Sequence, residues 1–300
     1  MSELRTTPYE PSRLDGVLRL FDRVYGGAPS RDEFGWWFDG NPVGPRTVFL
    51  ADDDGRVAGV LGASFYRAVV EGRETLAVLP LWAVTDPDYR GRGIFQRLNA
   101  AVERAARDEG AALELGFTNP SAGPIYISKL GWSDVHRLRI WARPLVGGRR
   151  APDTVDRFGE HEERAYRGLA PRLRSHFVRD AAYLNWRYAD STRSYALLRS
   201  ANGYAVVGRK RVRGVSAAFV ADLVAPTVRE TRALLRMCVR AARGARVLLA
   251  LLPAVHARAY VGAGFLPTPE RIRLIGHALE GPLPVGPRAW HFTLGDTDYF

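Results

Sequence analysis

A strand, a glycine-containing loop and a helix follow one another directly in the first half of the chain, and this order constrains the fold more than any other feature. Residues 76–85 are apolar almost throughout, which is typical of a central strand covered on both faces. The loop Asp86–Gly93 comes next, and residues 94–109 then place apolar side chains at helical spacing before a stop at Gly110. The sequence therefore predicts a mixed α/β fold.

The loop contains two glycines that give it a chemical meaning. A helix leaves its first backbone N–H groups unpaired, and Gly91 and Gly93 remove side chains that would keep an anion away from those groups. A tight turn is the simpler explanation of any Gly-x-Gly sequence. The strand before the loop and the amphipathic helix after it favour a phosphate-binding site.

Similar signals predict the other elements of the first half. Helical spacing covers residues 11–25 and 32–38, and apolar runs flank the turn at Asp52–Gly55 as in a hairpin. A strand over 112–117 and a short helix over 121–130 complete the set.

The second half repeats landmarks of the first. Pro120 lies eleven residues before Gly131-Trp132, and Pro253 lies eleven residues before Gly264-Phe265. Trp186-Arg187-Tyr188 is likewise the counterpart of the aromatic run at 36–38. The repeat predicts two lobes of one architecture, which we place at residues 1–145 and 171–300 with a linker over 146–170.

Charge favours an anionic partner, with a reservation. The chain carries 43 Lys and Arg residues against 32 Asp and Glu, a formal net charge of +11. Lys129 and Lys210 are its only lysines, and this arginine bias is typical of a GC-rich genome. What remains is a preference for anionic ligands of unspecified kind.

Several classes of protein are disfavoured by composition. Cys238 is the only cysteine, which excludes internal disulfides and cysteine-rich metal sites. The six histidines fall singly, without the His-Glu-x-x-His spacing of a zinc site, so we expect no metal. No apolar run reaches the roughly 18 residues of a membrane span, and Met1–Glu10 lacks a signal-peptide core. We expect a cytoplasmic protein.

Residues 90–95 resemble the signature of the GNAT acyltransferase superfamily, which is Arg or Gln, two residues, Gly, one residue, then Gly or Ala. The likeness covers residues 11–141 and, more weakly, 181–279, and the two-lobed arrangement is similar to tandem GNAT proteins. It implies two lobes, each with a mixed, mostly antiparallel sheet flanked by helices. It also implies acetyl-CoA or another acyl-CoA as donor.

The resemblance assigns the donor-binding residues. It implies that the backbone of Ala83, Val84 and Thr85 pairs with pantetheine and that Asn119 makes a polar contact. Phe95 stands where the family has Gly or Ala, so its side chain must turn away from the nucleotide or reshape its seat. The implied pyrophosphate contacts come from Arg90, Gly91, Arg92, Gly93, Ile94 and Phe95.

The catalytic assignments are less direct. The family often has a tyrosine four residues before the Gly-aromatic pair, but Ile127 stands there. Tyr126, one place earlier, is either the acid that protonates the departing thiolate or a packing residue. Candidate bases are Asp86 and Glu114, each of which is otherwise a structural or solvated carboxylate. A weaker candidate is the acidic cluster of Asp296, Asp298 and the terminal carboxylate of Phe300.

The second lobe differs from the first at the corresponding loop. Residues 224–228 contain no glycine, so we expect no coenzyme A there. The next segment places five arginines on one helix face, which is either a solvated face or a track for a nucleic-acid backbone. The second alternative resembles Fem-type enzymes, which take an aminoacyl group from tRNA. These arginines are Arg229, Arg232, Arg236, Arg240 and Arg243.

These observations favour an N-acyltransferase that moves an acetyl or short acyl group from acyl-CoA to an amine of a small molecule by direct attack in a ternary complex. An aminoacyl-tRNA donor on the same fold is the first alternative. A catalytically silent acyl-CoA-binding regulator is the second.

Overall fold

A computed structural model describes residues 4–118, 122–147 and 150–298. Twelve strands and eight α-helices are assigned in this part of the chain. The strands are β1 (Arg5–Pro8), β2 (Thr47–Asp53), β3 (Arg56–Val70), β4 (Arg73–Thr85), β5 (Ala111–Thr118), β6 (Ser133–Pro144), β7 (Ser175–Phe177), β8 (Tyr195–Ser200), β9 (Gly203–Val212), β10 (Val215–Val224), β11 (Val247–Leu251) and β12 (Leu266–Ala278). The helices are α1 (Leu14–Tyr25), α2 (Arg31–Phe38), α3 (Ile94–Asp108), α4 (Gly123–Leu130), α5 (Glu160–Leu169), α6 (Ala181–Leu184), α7 (Val228–Ala241) and α8 (Ala257–Gly262).

The predicted elements of the first half are confirmed to within a few residues. The strand predicted over 76–85 is β4, and the helix predicted from residue 94 is α3. The mixed α/β class is confirmed as well, with mostly antiparallel strand pairs and helices that cover the sheets. The segment predicted as a linker contains α5.

The described residues form two compact units. Unit 1 draws on Met1–Arg67, Thr75–Asp134 and Ile275–Leu283, and unit 2 draws on Ala68–Glu74, Val135–Leu274 and Pro284–Phe300. The boundaries predicted at 145 and 171 are positions along the chain, whereas each of these units combines distant segments.

Unit 1 contains β1 to β5 in sequential order. The pairs β1/β2 and β2/β3 are antiparallel, while β4 and β5 are parallel. Helix α3 connects the two parallel strands, and its Leu98 and Val102 are buried in the core of this unit. The last residues of β12 follow β5 at the end of the sheet, where the amide of Leu279 donates to the carbonyl of Ala112 at 2.9 Å.

Unit 2 repeats the parallel arrangement. Strands β10 and β11 are parallel and are connected by α7, whose Leu234, Leu235 and Cys238 are buried. Strands β8, β9 and β10 form an antiparallel run, and β6 pairs with β11 on its other side. The last strand of each half of the chain thus lies beside a strand of the other half. Strand β6 lies beside β11, and the end of β12 lies beside β5.

No helix among the described residues is long and apolar enough to cross a bilayer.

Candidate active site

The parallel strands β4 and β5 separate part-way along their length. Their backbone pairing runs from Leu76 with Ala111 to Val78 with Glu114, and no further pair between them occurs among the described residues. Pro80 comes two residues after the last pair and has no N–H to donate to a ladder. The carboxyl ends of the two strands therefore leave backbone groups of β4 available for another partner.

Strand β4 is also bent at Trp82, which has a φ of +60°. A positive φ is costly for a large residue and persists only where the surroundings enforce it. Here the indole packs edge-on against Phe21, Phe34 and Phe38, at ring distances of 4.9, 5.4 and 5.6 Å. The next residue, Ala83, is exposed. Sequence reasoning missed Trp82, because a continuous apolar run carries no signal for a bend.

The loop after β4 is anchored at its first residue. Asp86 is buried, its amide donates to the carbonyl of Ala58 at 2.9 Å, and its carboxylate accepts from Arg56 at 2.8 Å and pairs with Arg23 at 3.5 Å. Burial opposes ionisation, but these arginines and the amide of Asp88 outweigh it and lower the pKa of Asp86. Both oxygens of Asp86 are thus occupied in holding the loop.

Tyr89 fixes the middle of the loop. Its hydroxyl donates to Asp53, and the guanidinium groups of Arg56 and Arg92 each lie 5.0 Å from the centre of its ring. The neighbouring residue Arg90 is exposed.

Both glycines of the loop are required by the backbone. Gly91 has a φ of +78° and Gly93 a φ of +69°, in the left-handed region that side chains disfavour. A Cβ on Gly91 would point into open space, and one on Gly93 would lie 3.7 Å from Arg97. Glycine is therefore required at these two positions by the backbone conformation more than by crowding from neighbouring atoms.

Helix α3 begins on this loop without a side-chain cap. Gly93 occupies the N-cap position, so no side-chain oxygen accepts from the first amides. Its first residue, Ile94, is seated against Gly59 of β3, where a Cβ would come within 2.7 Å of the Ile94 side chain. The N–H groups of residues 94 and 95 therefore lie at a helix N-terminus that is fixed in place and carries a partial positive charge.

The corresponding helix of unit 2, α7, has a side-chain cap at its N-terminus. Thr227 caps α7, and its hydroxyl accepts from the amide of Glu230 at 3.1 Å. The two helices therefore occupy equivalent places between parallel strands but differ at the terminus.

Tyr126 lies beside this terminus in an aromatic cluster. It is 6% exposed, and its ring packs edge-on against Phe95 at 5.1 Å and at a tilt against Trp132 at 4.6 Å. The side chain of Phe95 thus turns onto α4 rather than into the loop. Asn119, the other predicted contact, lies outside the described residues.

Glu114 lies on β5 at the last pair before the strands separate. Its side chain is fully buried, and neither carboxylate oxygen has a hydrogen-bond partner in the described part of the chain. Burial raises its pKa to about 8, with a further contribution from the negative charge of Glu103 and an opposing one from Arg107. The carboxyl group therefore carries a proton at neutral pH.

The same position groups three potential metal ligands. Atoms of Glu103, Glu114 and His277 all lie within 4.8 Å of one another. Glu103 already pairs with Arg107 at 2.8 Å and lies 3.7 Å from His277, so the protein itself balances part of the charge. Glu114 thus faces the α3 layer, a choice that the sequence left open.

The remaining predicted residues belong to unit 2. Asp296 is buried and accepts from Arg179 at 2.6 Å, whereas Asp298 is exposed, and Phe300 lies outside the described residues. The five arginines at α7 do form one solvent-facing series: four are exposed and Arg240 is half-buried, donating to the carbonyl of Arg150 at 3.0 Å.

This geometry can be compared with known proteins. Residues 5–135 match the family described as acetyltransferase (GNAT) domain. We call residues 5–135 the GNAT domain after this match. It contains the separated strands, the glycine loop and the start of α3, and the GNAT family uses acetyl-CoA or another acyl-CoA as cosubstrate.

Solved structures extend the likeness in fold to nearly the whole chain. A GCN5-related N-acetyltransferase from Kribbella flavida is 20% identical with a TM-score of 0.67, and the match covers 93% of this chain and 72% of that one. One from Anabaena variabilis is 12% identical with a TM-score of 0.67, covering 92% and 73%. Eis1 from Mycobacterium abscessus is 15% identical with a TM-score of 0.56, covering 93% and 73%. A comparison with curated protein sequences finds no match.

Proposed function

We propose that the GNAT domain binds acyl-CoA at the uncapped start of α3 and transfers an acetyl or other short acyl group to an amine of a small molecule. The observation that carries this proposal is the combination of two left-handed glycines, an uncapped helix and a neighbouring strand that has lost its partner. We further propose that the chain is of the tandem GNAT type, because β4-α3-β5 and β10-α7-β11 repeat one arrangement.

The donor would lie along the opened edge of β4. Pyrophosphate oxygens would accept from the amides of residues 91–95, where the helix dipole favours negative charge. Arg90 and Arg92 add positive charge beside this position. Amide groups of pantetheine would pair with the backbone of Ala83, Val84 and Thr85 beyond the bend at Trp82, and Asn119 would add a polar contact.

Acyl transfer in a ternary complex then needs two proton movements. The amine nitrogen attacks the thioester carbonyl, the carbon–nitrogen bond forms, and the carbon–sulfur bond breaks to release a thiolate. Backbone N–H groups near Thr85 would stabilise the oxyanion. Tyr126 would protonate the thiolate, and its packing against Phe95 at 5.1 Å supports a position near the donor loop.

The attacking amine must also lose a proton. Of the two predicted bases, Glu114 lies where β4 and β5 separate, but its carboxyl is buried towards α3 and protonated at neutral pH, which argues against that role. The amine would then enter the site already unprotonated, having lost its proton to solvent. The two arginines on Asp86 support a structural role for that residue.

A matched pair of glycine substitutions tests the donor site. Gly93 and Gly110 lie at opposite ends of α3 with similar φ values of +69° and +76°. Valine at either position meets the same backbone strain, of order 1–2 kcal/mol. We expect Gly93→Val to weaken coenzyme A binding about 30-fold or more, measured by calorimetry, because it disturbs two or more charge-assisted hydrogen bonds. Gly110→Val should bind as the unchanged protein does.

Thermal unfolding of both variants verifies that they fold. Equal coenzyme A affinity in the two valine variants would contradict the proposed donor site.

The exposed arginines at α7 favour a second candidate, an aminoacyl-tRNA donor. A tRNA that contacts several of them should lose affinity with a slope of about 0.7 to 0.9 log units per phosphate contact for each tenfold rise in salt. Acyl-CoA has few phosphates and should show a shallow slope. Titration with acetyl-CoA and with bulk tRNA at two salt concentrations separates the donors, and a turnover assay distinguishes either enzyme from a silent acyl-CoA-binding regulator.

A further inference from the structure

Unit 2 contains a cavity of about 530 Å³. This size lies within the range of small-molecule sites. Strand β6 forms its base, with Arg271 from β12 on one side and the residues after β11 on the other. A segment near the end of the chain, residues 287–292, contributes the remaining wall.

The charge of this cavity is positive and poorly balanced. Arg137, Arg139, Arg271 and Arg288 line it, and none of its described lining residues is acidic. Arg139 and Arg288 make no hydrogen bond or ion pair with the described part of the chain, and Arg271 contacts only the carbonyl of Pro269, at 3.4 Å. Some other arginines of unit 2, such as Arg157 and Arg199, are paired with carboxylates.

Repulsion among the guanidinium groups of Arg139, Arg271 and Arg288, which have no carboxylate partner in the described part of the chain, is relieved by an anion. Arg137 and Arg139 are two positions apart on β6, so their side chains leave the same face of the strand, roughly 7 Å apart along it. Arg271 belongs to the adjacent strand. An anion with several acceptor oxygens, such as a phosphate, fits such a fork-like set of donors.

The wall of the cavity is aromatic and rigid. Trp290 and Phe292 are stacked at 5.3 Å with their planes 9° apart, and the Trp290 indole donates to the carbonyl of Pro284 at 2.9 Å. Trp141 lines the cavity from β6 and also packs against the core of unit 2. Trp290 and Phe292 are almost fully buried and make the wall rigid, whereas the half-buried Trp141 can offer ring surface to a planar, unsaturated ligand.

We propose that this cavity binds a small organic phosphate with a planar ring, of the nucleoside phosphate class. The arginines would hold the phosphate oxygens, and Trp141 would contact the ring. This site lies wholly within unit 2 and does not depend on the donor site proposed for the GNAT domain.

AMP is the probe, and binding is measured by calorimetry in the Gly93→Val background so that the loop at α3 does not contribute. Adenosine and inorganic phosphate are titrated in parallel to separate the ring from the charge. We expect AMP to bind at least about tenfold more tightly than either component, since both contacts are needed.

The variant Arg139→Gln/Arg271→Gln should weaken AMP binding about 30-fold or more, because each charged hydrogen bond contributes a factor of roughly ten. Arg104→Gln/Arg167→Gln removes the same charge from exposed helix positions and should change the affinity less than twofold. Circular dichroism establishes that both double variants fold. AMP affinity no greater than that of phosphate, or equal losses in the two double variants, would overturn the proposal.

Discussion

The buried carboxyl of Glu114 makes the stability of this protein depend on pH in an unusual direction. In the unfolded chain its pKa is the ordinary 4.5, whereas in the folded protein burial raises the pKa to about 8. Between these values the folded state holds a proton that the unfolded state has lost. Its contribution to the free energy of unfolding is therefore fully present below pH 4.5 and is lost as the pH rises towards 8.

The size of the effect follows from the interval between the two pKa values of Glu114. Each pH unit within this interval lowers the free energy of unfolding by about 1.4 kcal/mol, so the whole interval corresponds to about 5 kcal/mol. The group is almost completely buried, and solvent does not screen it. Interior relaxation makes this figure an upper bound.

Glu114→Gln removes the titrating group but keeps nearly the same shape. We expect the variant to match the unchanged protein near pH 4.5 and to exceed its free energy of unfolding by several kcal/mol at pH 8.5. Urea unfolding at one-unit pH steps, in the presence of a chelator so that the cluster with Glu103 and His277 binds no adventitious metal, measures the difference between the two proteins.

Taking this difference cancels the titration of groups that do not interact with Glu114. Glu109→Gln, at an exposed position just after α3, is the control and should shift stability by less than about 0.5 kcal/mol at any pH. A constant difference between Glu114→Gln and the unchanged protein from pH 4.5 to 8.5 would refute the reasoning.

Two further predictions concern a proposed catalytic group and a buried ion pair. Tyr126→Phe should lower kcat by about 10² to 10⁴-fold with little change in acetyl-CoA affinity, as measured by turnover and calorimetry, whereas a packing role would leave kcat nearly unchanged. Arg179→Met leaves Asp222 and Asp296 buried without their shared cation and should cost about 3–5 kcal/mol in urea unfolding. Arg157→Met breaks an exposed pair with Asp190 and should lower the free energy of unfolding by at most about 1 kcal/mol. Equal losses of stability in the two variants would contradict the expected effect of burial.

Features that depend on neighbours in the chain could be predicted from the sequence. The start of α3 at Ile94 follows from a glycine loop and helical periodicity, and both are local signals. The place of the glycine loop between a strand and a helix could be predicted for the same reason.

Features that depend on distant residues could not be predicted. The bend at Trp82 is held by three rings from α1 and α2, and nothing in the run of β4 indicates it. Glu114 points to the face where Glu103 and His277 lie, and His277 is far away along the chain. The neighbours of β6 and β12 are likewise set by long-range pairing, which periodicity cannot show.

Two buried arginines of unit 2, Arg179 and Arg187, hold the segment around Gly295 in place. Arg187, from the Trp-Arg-Tyr sequence, donates to the carbonyls of Gly295 and Thr297 at 2.9 and 3.0 Å. Arg179 holds Asp296 of the same segment.

Close packing enforces this arrangement, because a Cβ on Gly295 would lie 2.2 Å from the Tyr188 hydroxyl. The chain segment fixed in this way begins directly after Phe292, and Arg288, Trp290 and Phe292 line the basic cavity. In unit 1, Phe38 packs against the bent residue Trp82 of β4. In unit 2, Arg187 from the corresponding run holds Gly295 and Thr297. The buried charges of unit 2 thus support a wall of its own cavity, while the uncapped helix terminus remains a feature of the GNAT domain.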